Sequence, residues 1–104
     1  MNTRQFGFGI IGAGVISAIH ARAIEAIGNA RLVGVYSINK HKSDVLAATY
    51  NCAAYATLEE LLAVGEIDIV CICTPSGAHL DAAIKSIAAG KHCLIEKTLG
   101  GTVG

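Results

Sequence analysis

The chain has 104 residues, of which 53% are hydrophobic. That suits one domain at the small end of the usual range, with apolar surface to spare for a sheet covered on both faces. Eight basic residues balance eight acidic ones, so net charge gives no electrostatic case for nucleic acid or for an anionic membrane as partner.

In chain order, Gln5–Ile11 reads as an apolar strand running into a Gly-rich turn. Val15–Ile27 reads as a helix, with Ile16, Ile19, Ala23, Ile24 and Ile27 recurring at three- and four-residue steps and Gly28-Asn29 ending it. Arg31–Ile38 is a second strand, rich in β-branched residues. Asn39 is placed to cap a helix over Lys40–Tyr50, with Val45, Leu46 and Thr49 facing inward. Ala53–Ala56 is a short third strand. Thr57 and Glu60 have the spacing of a capping box for a helix through Val64. Ile67–Cys73 is a continuous apolar run, as a central parallel strand should be. Thr74–Gly77 is a turn, Ala78–Ala89 a helix closed by Gly90, and Cys93–Glu96 a fifth strand. Strands and helices alternate about five times. This predicts a doubly wound α/β fold of three layers, with a parallel sheet in the order 3-2-1-4-5.

The cysteines Cys52, Cys71, Cys73 and Cys93 form no C-x-x-C pair and have no His at zinc-ligand spacing, so no metal site is expected. Cys71 and Cys73 should share one face of their strand and point into the core. Free buried thiols suit a reducing cytoplasm. The apolar stretch Phe6–Ile19 is broken by four glycines and is short of the roughly 20 residues that span a bilayer. A soluble, cytoplasmic protein is expected.

Gly12-Ala13-Gly14-Val15-Ile16-Ser17 occupies a G-x-G-x-x-G slot between a strand and a helix. That is the context in which the pattern marks a dinucleotide fold rather than a plain tight turn. Gly12 permits the turn, and Gly14 lets the backbone approach a pyrophosphate. The first helical amides, near Val15 and Ile16, then offer an anion site with no basic side chain. Ser17 replaces the third glycine and is small enough for close helix–strand packing.

Folds of this kind that select NAD carry a carboxylate at the end of the second strand, about 20 residues on. Here that region reads Ser37-Ile38-Asn39-Lys40, with no carboxylate. Ser37 and Asn39 can donate to a 2′-phosphate and Lys40 can add charge. The cofactor is therefore NADP or NAD, with a slight lean to NADP. In an open parallel sheet, ligands bind at carboxyl ends of strands near the switch point. Thr74-Pro75 and Glu96-Lys97 both fall at such ends.

These features together resemble the cofactor domain of the glucose–fructose oxidoreductase, inositol 2-dehydrogenase and rhizopine-catabolism (Gfo/Idh/MocA) family. The residues carrying the resemblance are Ile10–Gly14, His20, Leu58–Leu62, Ile67–Val70, Thr74–Ser76 with His79, and Ala89–His92 leading into Glu96-Lys97. The resemblance implies that Gly12, Gly14, Val15 and Ile16 hold the pyrophosphate and that Ser37 sits by the adenosine ribose. It implies that Cys73, Thr74, Pro75 and His79 line the other side of the switch point. Glu96 would lie against the nicotinamide ribose. Lys97 would be the catalytic lysine, hydrogen-bonding the substrate oxygen and moving its proton. His20, His41 and His92 read as structural or surface residues.

Two departures stand out. Thr98 replaces the proline of the family's Glu-Lys-Pro motif, and family members carry a second, substrate-binding domain that these 104 residues do not include. The implied function is the cofactor half of an oxidoreductase, transferring hydride to or from a sugar, cyclic polyol or related hydroxy compound. This chain alone would bind cofactor without turnover. The implied partner is a small-molecule substrate, and the full-length protein would be a homo-oligomer. The competing reading is a non-catalytic cofactor-binding or sensor module.

Overall fold

Each strand is joined to the next through a helix, and that connection forces the strands to run parallel. A computed structural model describes residues 5–74 and 76–95, with residues 76–79 described by backbone alone. The elements are β1 (Phe6–Ile11), α1 (Val15–Ala26), β2 (Ala30–Tyr36), α2 (Lys40–Tyr50), β3 (Ala53–Ala54), α3 (Leu58–Leu62), β4 (Ile69–Ile72), α4 (Ser76–Ala88) and β5 (His92–Ile95). They form one five-stranded sheet in the order β3-β2-β1-β4-β5, with every pair parallel. The Rossmann-type architecture and the strand order agree with expectation.

Alternation along the central strands builds two cores. Ile10, Val35 and Cys71 pack with Ala21 and Ile24 of α1 and Leu46 and Ala47 of α2. Ile11, Val70 and Ile72 pack on the opposite face, with Leu58, Leu61 and Leu62 of α3 and Ala82 and Ala83 of α4. Cys73 joins the same cluster as Cys71, so the two thiols do share a face. None of the four cysteines forms a disulfide among the described residues.

The inward faces of two helices differ from the periodicity reading. In α1 the buried residues are Ser17, Ala21 and Ile24, whereas Ile19 and Ile27 are exposed, as is Ala23. The Gly-rich turn brings the start of this helix close to the sheet, where the small side chains of Ser17 and Ala21 fit, and Ile24 is the one buried isoleucine of the helix. In α2, Ser43, Leu46 and Ala47 are buried. Val45 is exposed, and so is Thr49, whose hydroxyl donates to the Val45 carbonyl at 2.8 Å. Leu46 alone of the three expected residues points inward.

Element ends also shift. β3 is only two residues long, and β4 starts at Ile69 rather than Ile67. α4 begins at Ser76, so the turn after β4 is tighter than Thr74–Gly77. Caps behave as the sequence suggests. Asn39 Oδ1 accepts the Lys42 amide at 3.2 Å, and Thr57 Oγ1 accepts the Glu60 amide at 3.1 Å. The Glu60 carboxylate reaches back one residue further than a capping box requires, to the Ala56 amide at 3.1 Å.

The amino ends of the strands are tied separately. Gly7 N–H donates to Asp68 Oδ2 at 2.9 Å, and the Lys91 ammonium donates to the Val64 and Ile67 carbonyls at 2.8 and 2.7 Å. Among the described residues, no helix is long and apolar enough to cross a membrane.

Candidate functional site

The carboxyl ends of β2, β1 and β4 meet at the switch point. The Gly12 amide donates to the Tyr36 carbonyl at 2.7 Å, and the Cys73 amide donates to the Ile11 carbonyl at 2.8 Å. These bonds carry the β1 turn directly over its neighbours. Gly12 has φ +110°, and a Cβ there would lie 2.9 Å from the Cys73 carbonyl oxygen. Both the left-handed backbone and the close approach call for glycine.

Gly14 is the N-cap of α1 and, lacking a side chain, gives the helix no side-chain cap. Its own amide donates to Ser17 Oγ at 3.3 Å. A Cβ at Gly14 would meet no atom within 4 Å, so the space before the helix is open. No acidic residue stands in the first turn of α1. The amide end of a 12-residue helix, its dipole and an open approach thus coincide beside Val15 and Ile16. Ser17 is fully buried beneath the turn.

Next to this turn lies a cleft of about 200 Å³, between the ends of β1, β2 and β4 and helices α3 and α4. Ile11, Tyr36, Leu58 and Ala82 give it apolar lining, and Gly12, Ser37 and Thr74 place polar backbone and hydroxyl groups along it. The Thr74 hydroxyl oxygen is buried and has no hydrogen-bond partner among the described residues. A buried polar atom in that state costs free energy until a partner arrives. An apolar slot, an unanswered hydroxyl and an open helix N-terminus fit the adenosine and pyrophosphate parts of a dinucleotide.

A charged rim lies on the helix side. The Lys85 ammonium sits 3.3 Å from a Glu59 carboxylate oxygen and 3.6 Å from Asp81, and all three residues line the cleft. A hydrogen bond from its own backbone amide, reinforced by Lys85, holds the Glu59 carboxyl below its usual range. Hydrogen bonding to Glu59, with the nearby charge of Asp81, pushes the Lys85 ammonium up.

The expected site residues therefore separate into groups. Gly12, Gly14, Val15, Ile16, Ser37, Cys73 and Thr74 are brought together at the carboxyl end of the sheet. Asn39 and Lys40 follow the end of β2 but are engaged within the fold. Asn39 caps α2 and donates its amide to Ser37 Oγ at 3.0 Å, and Lys40 pairs with Asp44. His79 lies in the first turns of α4, where only the backbone is described. Pro75, Glu96 and Lys97, and also Thr98, lie outside the described residues. The sequence reading missed Tyr36, Ile38, Leu58 and the Glu59–Lys85–Asp81 rim. The Asp81/Lys85 spacing of four was a readable sign of an ion pair on α4, but nothing in the sequence showed that α3 and α4 border one cleft.

Comparison with known proteins points the same way. Residues 6–103 match the model of an oxidoreductase family with an NAD-binding Rossmann fold, GFO_IDH_MocA. Inositol 2-dehydrogenase of Rhizobium meliloti is 36% identical over 92 residues, covering 88% of this chain and 28% of the relative. UDP-N-acetylglucosamine 3-dehydrogenase of Acidithiobacillus ferrooxidans is 39% identical over 89 residues, covering 86% of this chain and 27% of the relative. The structure of GenD2 from gentamicin A biosynthesis, in complex with NAD, superposes with a TM-score of 0.88 at 28% identity. That match covers 93% of this chain and 28% of GenD2. The chain thus spans a little over a quarter of the length of these proteins.

Proposed function

The chain belongs to the Gfo/Idh/MocA oxidoreductase family, whose NAD-binding Rossmann-fold model its residues 6–103 match, and from that membership we propose that it binds a nicotinamide dinucleotide as the cofactor part of a sugar or polyol dehydrogenase. The observation that carries this is the switch point itself. Gly12 is locked against Cys73, Gly14 opens onto a helix N-terminus with no side-chain cap, and the Thr74 hydroxyl beside them has no partner among the described residues.

In this proposal the amides of Val15 and Ile16 bind the pyrophosphate, and Gly12 and Gly14 keep side chains out of its way. The adenosine lies in the cleft between α3 and α4, with Ser37 at the ribose and Thr74 answered by the ligand. Cys73, Pro75 and His79 line the path toward the nicotinamide, and Glu96 orients its ribose. The bound nicotinamide supplies hydride transfer. Lys97 hydrogen-bonds the oxygen of the substrate hydroxyl and takes or returns its proton.

The substrate is a sugar, cyclic polyol or related hydroxy compound. Relatives named for inositol, glucose 6-phosphate and UDP-N-acetylglucosamine dehydrogenation support that class. The reading asks only cofactor binding of these 104 residues, which span a little over a quarter of the length of the relatives. Calorimetric titration of this chain with NADH and NADPH tests the reading. Saturable binding of either in the micromolar to millimolar range is expected, and no heat from either at millimolar concentration would contradict it.

A further inference from the structure

The end of β2 carries no carboxylate, yet the cleft into which it opens is not neutral. Ser37 and Ile38 line it together with Glu59 of α3 and with Asp81 and Lys85 of α4. Two carboxylates and one ammonium leave that wall with one net negative charge. Lys85 is already held by both acids, at 3.3 and 3.6 Å.

The cations that might offset this wall are differently placed. Asn39, Lys40 and Lys42 are not among the residues lining the cleft. Lys40 is paired with Asp44, and Asn39 Oδ1 accepts the Lys42 amide. Ser37 Oγ accepts the Asn39 amide, which leaves its hydroxyl hydrogen to donate. One neutral donor can serve a ribose hydroxyl or a phosphate, but it brings no positive charge to offset the wall.

We infer that Glu59 and Asp81 are specificity-determining residues that favour NAD over NADP, acting across the cleft in place of the carboxylate missing from β2. The inference rests on the dinucleotide reading above and reverses the lean suggested by Ser37, Asn39 and Lys40 in the sequence. A phosphate monoester carries a charge of about −1.5 to −2 at neutral pH. It would be repelled by the net negative wall of the same cleft, whereas an uncharged hydroxyl would not. The three charged side chains are partly exposed, at 71%, 73% and 45% for Glu59, Asp81 and Lys85. Solvent therefore screens the effect to roughly three- to tenfold in relative affinity at low salt, and less at high salt.

The test is a calorimetric titration of the 104-residue chain with NADH and with NADPH, at low and at physiological salt. It is repeated for Glu59→Gln, Asp81→Asn and the double variant. The wild-type chain is expected to bind NADH more tightly, by roughly three- to tenfold at low salt. The double variant should tighten NADPH binding until the preference falls below about twofold, with NADH affinity little changed. Lys85→Met should move the ratio the opposite way, which guards against a merely structural effect of either acid substitution. Equal or tighter NADPH binding by the wild type would overturn the inference, most directly if Lys42→Ala abolished it. A ratio unmoved in the double variant would also overturn it. In both cases the dinucleotide reading would survive, whereas failure of both cofactors to bind would remove that reading and the inference together.

Discussion

Gly12 presses its Cα against the main chain of Cys73, so closely that a Cβ at position 12 would stand 2.9 Å from the Cys73 carbonyl oxygen and 3.0 Å from its carbon. This contact joins the β1 turn to the end of β4 and fixes where the N-terminus of α1 points. Gly14, two residues on, touches nothing within 4 Å of where its Cβ would be. The two glycines serve different ends, and substitution separates them.

Gly12→Ala should destabilise the fold by about 1–3 kcal/mol, from the positive φ and the backbone clash. Urea unfolding followed by circular dichroism would measure it. Gly14→Ala should leave stability within about 0.5 kcal/mol while weakening NADH binding about tenfold or more, since the methyl occupies the phosphate approach. Equal stability losses for the two variants would count against this division.

A second close approach lies at the amino end of the sheet. A Cβ on Gly7 would fall 1.9 Å from the Glu66 carbonyl oxygen, whereas one on Gly65 would meet nothing within 4 Å. Gly7→Ala should cost about 2–4 kcal/mol because backbone must move on one side or the other. Gly65→Ala should be near neutral, and the same unfolding measurement compares the two.

Lys91 has a structural task. Its ammonium donates to the Val64 and Ile67 carbonyls and ties the loop before β4 to the start of β5. Lys91→Met keeps most of the stem and removes both donors, so a loss of about 1.5–3 kcal/mol is expected. Cofactor affinity should change less than twofold, because these carbonyls lie at the end of the sheet away from Gly12.

Cys52 supplies a pH prediction. Burial, with a smaller contribution from the charge of Glu25, pushes its thiol up from 9.0 to about 11. The folded protein then binds this proton more tightly than the unfolded chain. The resulting stability is fully present below pH 9 and is lost as pH rises from 9 to about 11. Cys52→Ala should flatten the fall in urea midpoint across that window. Iodoacetamide should also label Cys52 in the folded chain more slowly than free cysteine at pH 8, as read by peptide mass spectrometry.

Much of this was legible in the residues. The alternation of elements, the caps at Asn39 and Thr57 and the turn at Gly12 follow from local chemistry, and local chemistry is what a sequence displays. The inward face of α1 was not legible. Ile16, Ile19 and Ile27 have the right period, but the close turn selects Ser17 and Ala21 for the sheet side and leaves Ile19 58% exposed. The rim of Glu59, Asp81 and Lys85 was hidden for another reason. Glu59 lies 22 positions from Asp81 and 26 from Lys85, and only the folded sheet puts α3 beside α4. The Lys40–Asp44 pair within α2 was likewise not drawn from the sequence, although its spacing of four was readable.

The central claim is that a nicotinamide dinucleotide docks on the turn from Gly12 to Ile16. Amide chemical-shift mapping of the labelled chain during titration with NADH tests this most directly. The account predicts that the largest shifts fall on Gly12, Gly14, Val15, Ile16 and Thr74, while Arg31 and Asn51 at the far end of the sheet stay still. Shifts concentrated at that far end, or no shifts at millimolar NADH, would contradict it.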